Sequence, residues 1–183
     1  LVFASGDTIA FESNHHTDRP SQSFTIFDAD LPARKYEWWN HSLSFDSSSK
    51  RKISGNLEIH QGEIYESPGS RYGGGLDFRL WKEFLFGFDY SVTTIDWNNA
   101  PQTELKVASG KAIINFSPTF FISNLIQYDN HSDSVSINSR LQWEYKPGAK
   151  FFFVVNQGYL VEGNRFILQG YGTSLKLGML FRF

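Results

Sequence analysis

Apolar and polar residues alternate almost without exception over the last eleven residues, 173–183. One face would carry Thr173, Leu175, Leu177, Met179, Phe181 and Phe183, and the other Ser174, Lys176, Gly178, Leu180 and Arg182. Because successive side chains of a strand point to opposite faces, this pattern predicts a strand with one apolar and one mostly polar face. An apolar strand that ends on an aromatic residue is typical of Gram-negative outer-membrane barrels, so the segment predicts a membrane location.

Strand-like patterning recurs along the chain in segments of roughly ten residues, separated by clusters of turn-forming residues. No segment keeps a period of about 3.6 residues long enough to predict a helix. The further segments are residues 7–13, 36–45, 52–64, 71–81, 84–95, 103–116, 119–128, 135–146 and 150–158. The sequence therefore predicts an all-β chain of about ten antiparallel strands.

Two kinds of connection alternate between these segments. Residues 47–50, 81–83, 117–118 and 146–149 read as compact turns from their Pro, Gly, Ser and charged residues. Residues 14–35, 65–70, 96–102, 129–134 and 159–172 read as longer polar loops. Short turns on one rim and longer loops on the other are typical of outer-membrane barrels, with the short turns on the periplasmic side. An even strand count would place both termini on that side.

The segment 135–146 has the clearest alternation. Val135, Ile137, Ser139, Leu141, Trp143 and Tyr145 share one face, and Ser136, Asn138, Arg140, Gln142, Glu144 and Lys146 share the other. A lipid-facing row and a wet lumen explain both rows, and a soluble sandwich with one face in solvent is the alternative. Trp143, Tyr145 and Trp81 each precede a turn, which is where interfacial aromatic girdles lie.

Two segments depart from this simple pattern. Residues 151–155 are apolar on both faces, and the alternation within residues 103–116 changes phase near Gly110. We expect a β-bulge at Gly110, because one inserted residue reverses the faces of all residues that follow.

Composition excludes several classes of protein. The chain has 17 basic and 19 acidic residues, a net charge of −2 and no Cys, so neither a nucleic-acid partner nor a disulfide or thiolate metal site is predicted. Its mean hydropathy is −0.34, and no apolar run approaches the 18 to 20 or so residues of a membrane-spanning helix. A barrel and a soluble domain can share this average, because a barrel exposes apolar residues only at every second position.

The length of 183 residues predicts one domain over residues 1–183. The chain starts at Leu1 without Met or a secretory signal. We therefore expect either a processed mature protein or a piece of something longer.

The five His residues are the first candidates for chemistry. His15 and His16 lie in the predicted loop 14–35, where plain loop is the simpler interpretation and metal binding the alternative. His41 and His60 could face each other across a hairpin with Glu58 nearby, and such a pair can act as a general base. Neither these residues nor His131 has metal-ligand spacing, and polar lumen residues occur in every barrel. The sequence therefore predicts no catalytic, metal or cofactor site.

A mixed set of charged residues is predicted to face the lumen: Glu58, Asp77, Arg79, Asp89, Lys106, Arg140, Glu144, Lys176 and Arg182. Opposite charges favour a salt-bridged interior over a conducting pore, which keeps a water path.

Aromatic and glycine clusters give two further candidates. Trp38 and Trp39 with Tyr36, and Trp97 beside Asn98 and Asn99, could stack on sugars if exposed, whereas lipid-interface anchoring is the simpler interpretation. Residues 73–75 are three glycines without the Lys and helix of a phosphate loop. They are predicted to let a strand bend or approach a neighbour closely.

Several blocks of sequence are similar to one bacterial family. They are Phe3-Ala4-Ser5-Gly6-Asp7, Leu31-Pro32 with Tyr36, Ser49-Lys50-Arg51, Gly62-Glu63-Ile64-Tyr65, Phe116-Ser117-Pro118, Asn124-Leu125-Ile126-Gln127-Tyr128-Asp129-Asn130, and residues 138–148, Asn-Ser-Arg-Leu-Gln-Trp-Glu-Tyr-Lys-Pro-Gly. In this order they resemble the C-terminal region of bacterial outer-membrane proteins that join a sandwich similar to family 9 carbohydrate-binding modules to a C-terminal barrel domain of unknown function.

The resemblance implies location and architecture, with no catalytic residue to transfer. It implies an outer-membrane β-barrel of about ten strands, or the C-terminal strands of a larger barrel, since family members are several times longer. The expected roles are a membrane anchor, pore or translocation component of a glycan- or secretion-related system. Expected partners are outer-membrane lipid, the barrel assembly machinery through the strand ending in Phe183, and other proteins of a larger complex. A membrane-embedded hydrolase with a rim active site and a soluble all-β binding domain are the alternatives.

Overall fold

The computed structural model describes residues 1–79 and 81–179, and this part of the chain is all-β and antiparallel. Twelve strands are formed by the described residues. They are β1 (Thr8–Asp18), β2 (Phe24–Ile26), β3 (Ala29–Leu31), β4 (Tyr36–Asp46), β5 (Ile53–Ile64), β6 (Ser67–Phe78), β7 (Phe84–Ile95), β8 (Thr103–Ser117), β9 (Phe120–Asp129), β10 (Ser134–Lys146), β11 (Ala149–Glu162) and β12 (Arg165–Met179).

Ten of these strands form one sheet in the order β1-β4-β5-β6-β7-β8-β9-β10-β11-β12, and β2 and β3 form a separate hairpin. The all-β prediction and the count of about ten strands are thereby confirmed. Within the described residues the sheet is not closed, because β1 and β12 each pair with one neighbour. Closure into a barrel stays a prediction. None of the described residues belongs to a helix with the length and apolarity to cross a membrane.

Three of the five predicted long loops are wrong. Residues 14–18 continue β1, and residues within 19–35 form the β2–β3 hairpin. Residues 65–66 are a two-residue turn, in which Tyr65 and Glu66 both have positive φ angles, 49° and 65°. The predicted loop 159–172 is mostly strand, interrupted only between Glu162 and Arg165, where Gly163 has a φ of 59°. Positive φ at both central residues matches the right-handed twist of a hairpin, so a turn of two residues suffices.

The β8–β9 ladder has no bulge at the predicted position, Gly110. Gly110 pairs with Ile126 in a continuous register between β8 and β9, and the register shifts instead between Asn115 and Ser117. The bulge therefore lies beside the turn rather than in the middle of the strand, which is a common place for bulges at sheet rims.

Contacts divide the chain into two compact units. The first consists of Leu1–Lys50, Ser54–Gly75 and Tyr90–Lys106, and the second of Arg51–Ile53, Leu76–Asp89 and Val107–Phe183 as far as that range is described. Four strands contribute residues to both: β5, through Ile53 alone, and β6, β7 and β8. The prediction of a single domain over residues 1–183 stays a prediction.

Several long strands expose a row of apolar side chains. In β7 the exposed row is Phe84, Phe86, Phe88 and Tyr90, between 37% and 53% accessible, whereas Gly87 is buried. In β5, Leu57 is 62% exposed while the neighbouring Glu58 and His60 are half-buried. A soluble sheet shows the reverse arrangement, with apolar residues on the covered face.

Residues 173–179 of the predicted terminal strand lie in β12, where Ser174 and Lys176 of the polar row are exposed as well as the apolar row. Leu175, Leu177 and Met179 of β12 are all exposed, each more than half accessible. Leu180, Phe181, Arg182 and Phe183 lie outside the described residues, so the predicted aromatic ending is not placed.

Candidate functional site

A cavity of about 290 Å³ opens in the first unit beside β5. Its polar lining comes from four strands: Asn40 of β4, Glu58 and His60 of β5, Ser70 and Arg71 of β6, and Thr93 of β7. Both signs of charge and several hydroxyl groups therefore line one cavity.

Alternation along β5 brings Glu58 and His60 to the same face. The two residues are separated by Ile59, which is exposed on the other face. Across the ladder Glu58 pairs with Ser44 and His60 with Ser42. Directly opposed residues have Cβ atoms only about 5 Å apart, so two short Ser side chains are the cross-strand neighbours of Glu58 and His60.

Glu58 and His60 are in direct contact through Glu58 Oε1 and His60 Nε2. Both side chains are about 40% accessible, 40% for Glu58 and 38% for His60. A carboxylate that accepts a hydrogen bond from one imidazole nitrogen fixes the orientation and tautomer of the ring. A His residue held by a carboxylate in this way is the usual arrangement of a general base. The partner of His60 is Glu58 and not the predicted His41.

The prediction that His41 faces His60 is wrong. His41 pairs with Gln61 in the β4–β5 ladder, one position away from the Ser42–His60 pair, so the two rings project from opposite faces. On its own face His41 stacks on Trp39, with ring centroids 6.4 Å apart, and on Phe11, 6.3 Å away.

His15 and His16 lie in β1, not in a loop. His15 pairs with Trp39 and His16 with Trp38, and each imidazole contacts the indole of its partner, with centroids 4.8 Å and 5.4 Å apart. No group of three or more His, Cys, Asp or Glu residues in residues 1–79 and 81–179 is arranged to hold a metal ion. Two neighbouring His residues in a strand project to opposite faces and cannot chelate one ion together.

The aromatic residues considered as a sugar platform or membrane anchor form a small core instead. Tyr36 is fully buried and Trp97 is 6% exposed, and they cluster with Ile95 and with Ala29 and Leu31 of the β2–β3 hairpin. Only Trp39 of the set keeps the exposure expected of an anchor, at 53%.

Polar contacts hold the connections around this core. The Tyr36 hydroxyl donates to the Pro32 carbonyl at 2.7 Å, and Trp97 Nε1 donates to Thr103 Oγ1 at 2.9 Å. Asn99 donates its side-chain amide to the Asp30 carbonyl at 2.6 Å. Both rings therefore form hydrogen bonds within the fold. Because both rings are also buried, neither Tyr36 nor Trp97 can stack on a sugar.

An ion pair closes the same end of the first unit. Arg34 donates to Glu66 at 2.7 Å, and its guanidinium also lies 4.1 Å from the centre of the Tyr36 ring. The hydrogen bond from Arg34 lowers the pKa of the Glu66 carboxyl below its ordinary value. Tyr65 in the same turn donates to Asp18 at 2.8 Å, and that hydrogen bond raises the pKa of the phenol.

Several of the residues predicted to face the lumen form ion pairs, and a closed interior that they would line stays a prediction. The pairs are Glu58 with His60, Lys106 with Glu104, Asp77 with Lys111 at 3.3 Å, and Glu144 with Lys150 at 3.4 Å. Arg140 donates to Gln142 and lies 5.1 Å from the centre of the Phe152 ring of the neighbouring strand β11. Arg182 lies outside the described residues.

Glycines allow polar side chains to cross strands. A Cβ built on Gly87 of β7 would lie 2.4 Å from Asp77 Oδ1 and 3.1 Å from Lys111 Cε, so the ion pair passes over this glycine. In the Gly73–75 segment, a Cβ on Gly74 would lie 3.1 Å from the Asn56 carbonyl oxygen. This agrees with the predicted close approach of a neighbouring strand.

The cavity residues of β6 and β7 were not identified from sequence. Ser70, Arg71 and Thr93 carry no motif, and they reach the Glu58–His60 pair only because the hairpins bring three further strands beside β5. Comparison with protein-family models, with curated proteins and with solved structures gives no match for this chain.

Proposed function

We propose that this chain is part of a bacterial outer-membrane β-barrel and acts as a membrane anchor, pore or translocation component. One observation carries the proposal: apolar and aromatic side chains are exposed along β4, β5 and β7, and in β4 and β5 the alternate positions hold half-buried polar groups. Soluble monomers rarely expose contiguous apolar surface on this scale. The same surface would be satisfied by lipid.

The length of the exposed rows can be compared with the apolar thickness of a bilayer. The row from Phe84 to Tyr90 in β7 and the row from Trp39 to Phe45 in β4 each cover six residue steps. At about 3.3 Å per residue each row extends about 20 Å along its strand. At the strand tilt of about 35–45° found in outer-membrane barrels, this corresponds to about 15 Å of height, a little over half of the apolar band of about 25 Å.

Aromatic residues mark the ends of these rows. Trp39 lies at one end of the β4 row, and Trp81, Trp143 and Tyr145 lie beside turns and are between 40% and 61% exposed. Trp and Tyr are enriched at the two lipid–water interfaces. In this proposal the partners are outer-membrane lipid and, through the strand ending in Phe183, the barrel assembly machinery. A glycan- or secretion-related role rests on the family resemblance alone.

Two forms of the barrel remain within the proposal. A ten-stranded barrel would join β1 to β12, whereas a larger barrel would pair each of them with strands outside this sequence. Unpaired edges present rows of backbone donors and acceptors, and in lipid these groups must be paired.

We predict that Phe88→Arg impairs membrane folding. An Arg on a lipid-facing position near the bilayer midplane costs about 2–4 kcal/mol in barrels, and Phe88 lies within the exposed row of β7. The protein is refolded into phosphatidylcholine vesicles, and its free energy of unfolding is measured by guanidinium titration. Folding is followed by the difference in gel mobility between boiled and unboiled samples.

The matched controls are Phe88→Leu, which keeps an apolar residue at the same position, and Asp89→Asn, which changes a residue on the opposite face of the strand. Both should stay within about 1 kcal/mol of the wild type. If Phe88→Arg is equally stable, or if the wild type folds as a monomer in buffer without lipid or detergent, the membrane assignment is wrong.

A second candidate function is ester hydrolysis at the Glu58–His60 pair. His60 oriented by Glu58 could remove a proton from water within the cavity, and general-base catalysis typically contributes a factor of about 10²–10⁴ in rate. We then expect His60→Gln to abolish hydrolysis of a p-nitrophenyl ester by refolded protein, with His131→Gln unchanged. Equal rates for both variants, or no rate for the wild type above buffer, would exclude this candidate.

A further inference from the structure

The face of β5 that carries Glu58 and His60 continues onto β6 and β7. A Cβ built on Gly73 of β6 would lie 3.7 Å from Glu58 Oε2 and 3.4 Å from the Ser91 Cβ of β7. Glu58, Gly73 and Ser91 therefore lie side by side on three neighbouring strands. Because Gly73 has no side chain, no side chain of β6 stands between Glu58 and Ser91 at this level.

Arg71 and Thr93 lie at the next level of the same face. Residues two apart in a strand share a face, so Arg71 lies on the face of Gly73. For the same reason Thr93 lies on the face of Ser91. A step of two residues along a strand is about 6.6 Å, so the backbone of Arg71 lies close to the carboxylate of Glu58. Arg71, Thr93 and Glu58 all line the cavity of about 290 Å³ beside β5.

Two charged groups of opposite sign in this cavity keep unused hydrogen-bonding capacity. Glu58 contacts His60 through Oε1, and its Oε2 accepts no hydrogen bond from the described residues. The Arg71 guanidinium makes no hydrogen bond or ion pair with any residue of the described part of the chain. One cavity therefore presents an unused carboxylate oxygen and an unused guanidinium.

We propose that the cavity beside β5 binds the zwitterion of a small α-amino acid. The ammonium group of the ligand donates to Glu58 Oε2 in the space over Gly73. The carboxylate of the ligand accepts hydrogen bonds from the Arg71 guanidinium, whose planar fork matches a carboxylate. The Thr93 hydroxyl lies on the same face as a further partner for the carboxylate.

The charges of the lining favour a zwitterion over a simple ion. A simple anion bound at Arg71 would also face the carboxylate of Glu58, and a simple cation bound at Glu58 would face Arg71. A zwitterion satisfies both charges and adds no net charge to the cavity. The volume lies just below the range of about 300–1,000 Å³ that is usual for small-molecule sites, so the ligand is small.

The experiment is calorimetric titration, at neutral pH, of the whole chain refolded in a nonionic maltoside detergent. The probes are L-alanine, propionate, which lacks the ammonium group, and ethylamine, which lacks the carboxylate. We expect saturable binding of L-alanine. Propionate and ethylamine should each bind at least tenfold more weakly, because each loses a charge-assisted hydrogen bond. Binding is measured directly, so the result is independent of ester hydrolysis at His60 and of insertion into lipid.

Two variants assign the two halves of the site. Arg71→Met should weaken L-alanine binding at least tenfold, to the level of ethylamine, and Glu58→Gln should weaken it to the level of propionate. Arg19→Met is the matched control, since Arg19 is exposed in the same unit and does not line the cavity. Its affinity should equal that of the wild type. Circular dichroism checks that each variant is folded, and the comparison of the three probes on the wild type needs no variant.

Three results would overturn the proposal. The first is the absence of saturable L-alanine binding by the wild type. The second is a simple ion that binds as tightly as L-alanine, since propionate would then identify a plain anion site and ethylamine a plain cation site. The third is an equal loss in Arg71→Met and Arg19→Met, which would mean a diffuse charge effect.

Discussion

Trp97→Ala is expected to lower the free energy of unfolding by about 3–5 kcal/mol, the usual cost of truncating a buried aromatic residue. Trp97 is 6% exposed and belongs to the small core of the first unit. Its indole N–H donates a hydrogen bond to the Thr103 hydroxyl, and truncation removes this hydrogen bond as well. The β2–β3 hairpin contributes Ala29 and Leu31 to this core and loses part of its packing surface.

The matched control is Trp39→Ala, because Trp39 is 53% exposed. In detergent solution its removal should cost less than about 1 kcal/mol. The measurement is denaturant unfolding followed by tryptophan fluorescence. Limited trypsin digestion after Arg34 and Lys35, which directly follow the hairpin in the chain, tests whether the hairpin is released. Similar losses for the two variants would mean that Trp97 is not in a core.

Side-chain alternation was sufficient to predict most of the main sheet. The predicted segment 84–95 coincides with β7, and the bounds of β4, β5, β8, β9 and β10 differ from prediction by one residue at most at each end. These strands have a regular period of two and end at residues that favour turns. Alternation is enough to predict the bounds of a strand where turn-forming residues also mark both of its ends.

The missed elements depend on backbone conformations that residue type predicts poorly. Tyr65 and Glu66 form a turn that usually contains Asn and Gly, so the sequence around them reads as a polar loop. The hairpin of β2 and β3 has strands of three residues each, too short for alternation to identify. Packing against Tyr36 and Trp97 holds this hairpin in place.

Only part of the candidate site could be predicted from the sequence. Alternation correctly placed Glu58 on the polar face of β5, and the same reasoning applied to β4 puts His41 in the row of Trp39 and Leu43, away from His60. The burial of Trp97 could not be derived, since Tyr36 is 61 positions away in sequence. Core aromatics and girdle aromatics have the same composition, and only tertiary contacts distinguish them.

Gly62→Ala is expected to lower the free energy of unfolding by about 3 kcal/mol. Gly62 has a φ of 154°, in a region that side chains rarely adopt, and such strain costs about 1–3 kcal/mol. A Cβ at this position would also lie 2.3 Å from the Trp39 carbonyl oxygen and 2.9 Å from the Asn40 Cα. Both are backbone atoms, so relief requires movement of β4 and adds a cost of about 1–3 kcal/mol.

The matched control for Gly62→Ala is Gly110→Ala, because a Cβ on Gly110 meets no atom within 4 Å and Gly110 lies inside a regular ladder. That variant should be neutral or more stable by up to about 1 kcal/mol, since Ala restricts the unfolded chain. Denaturant unfolding of both variants in the same detergent gives the comparison. Asn40 pairs with Gly62, and its side-chain oxygen accepts a hydrogen bond from the Glu63 N–H at 3.1 Å. Because Asn40 also lines the cavity around Glu58 and His60, displacement of β4 would change that cavity. Equal stability of the two variants would mean that the backbone at Gly62 is relaxed and that this cavity wall is not held by the glycine.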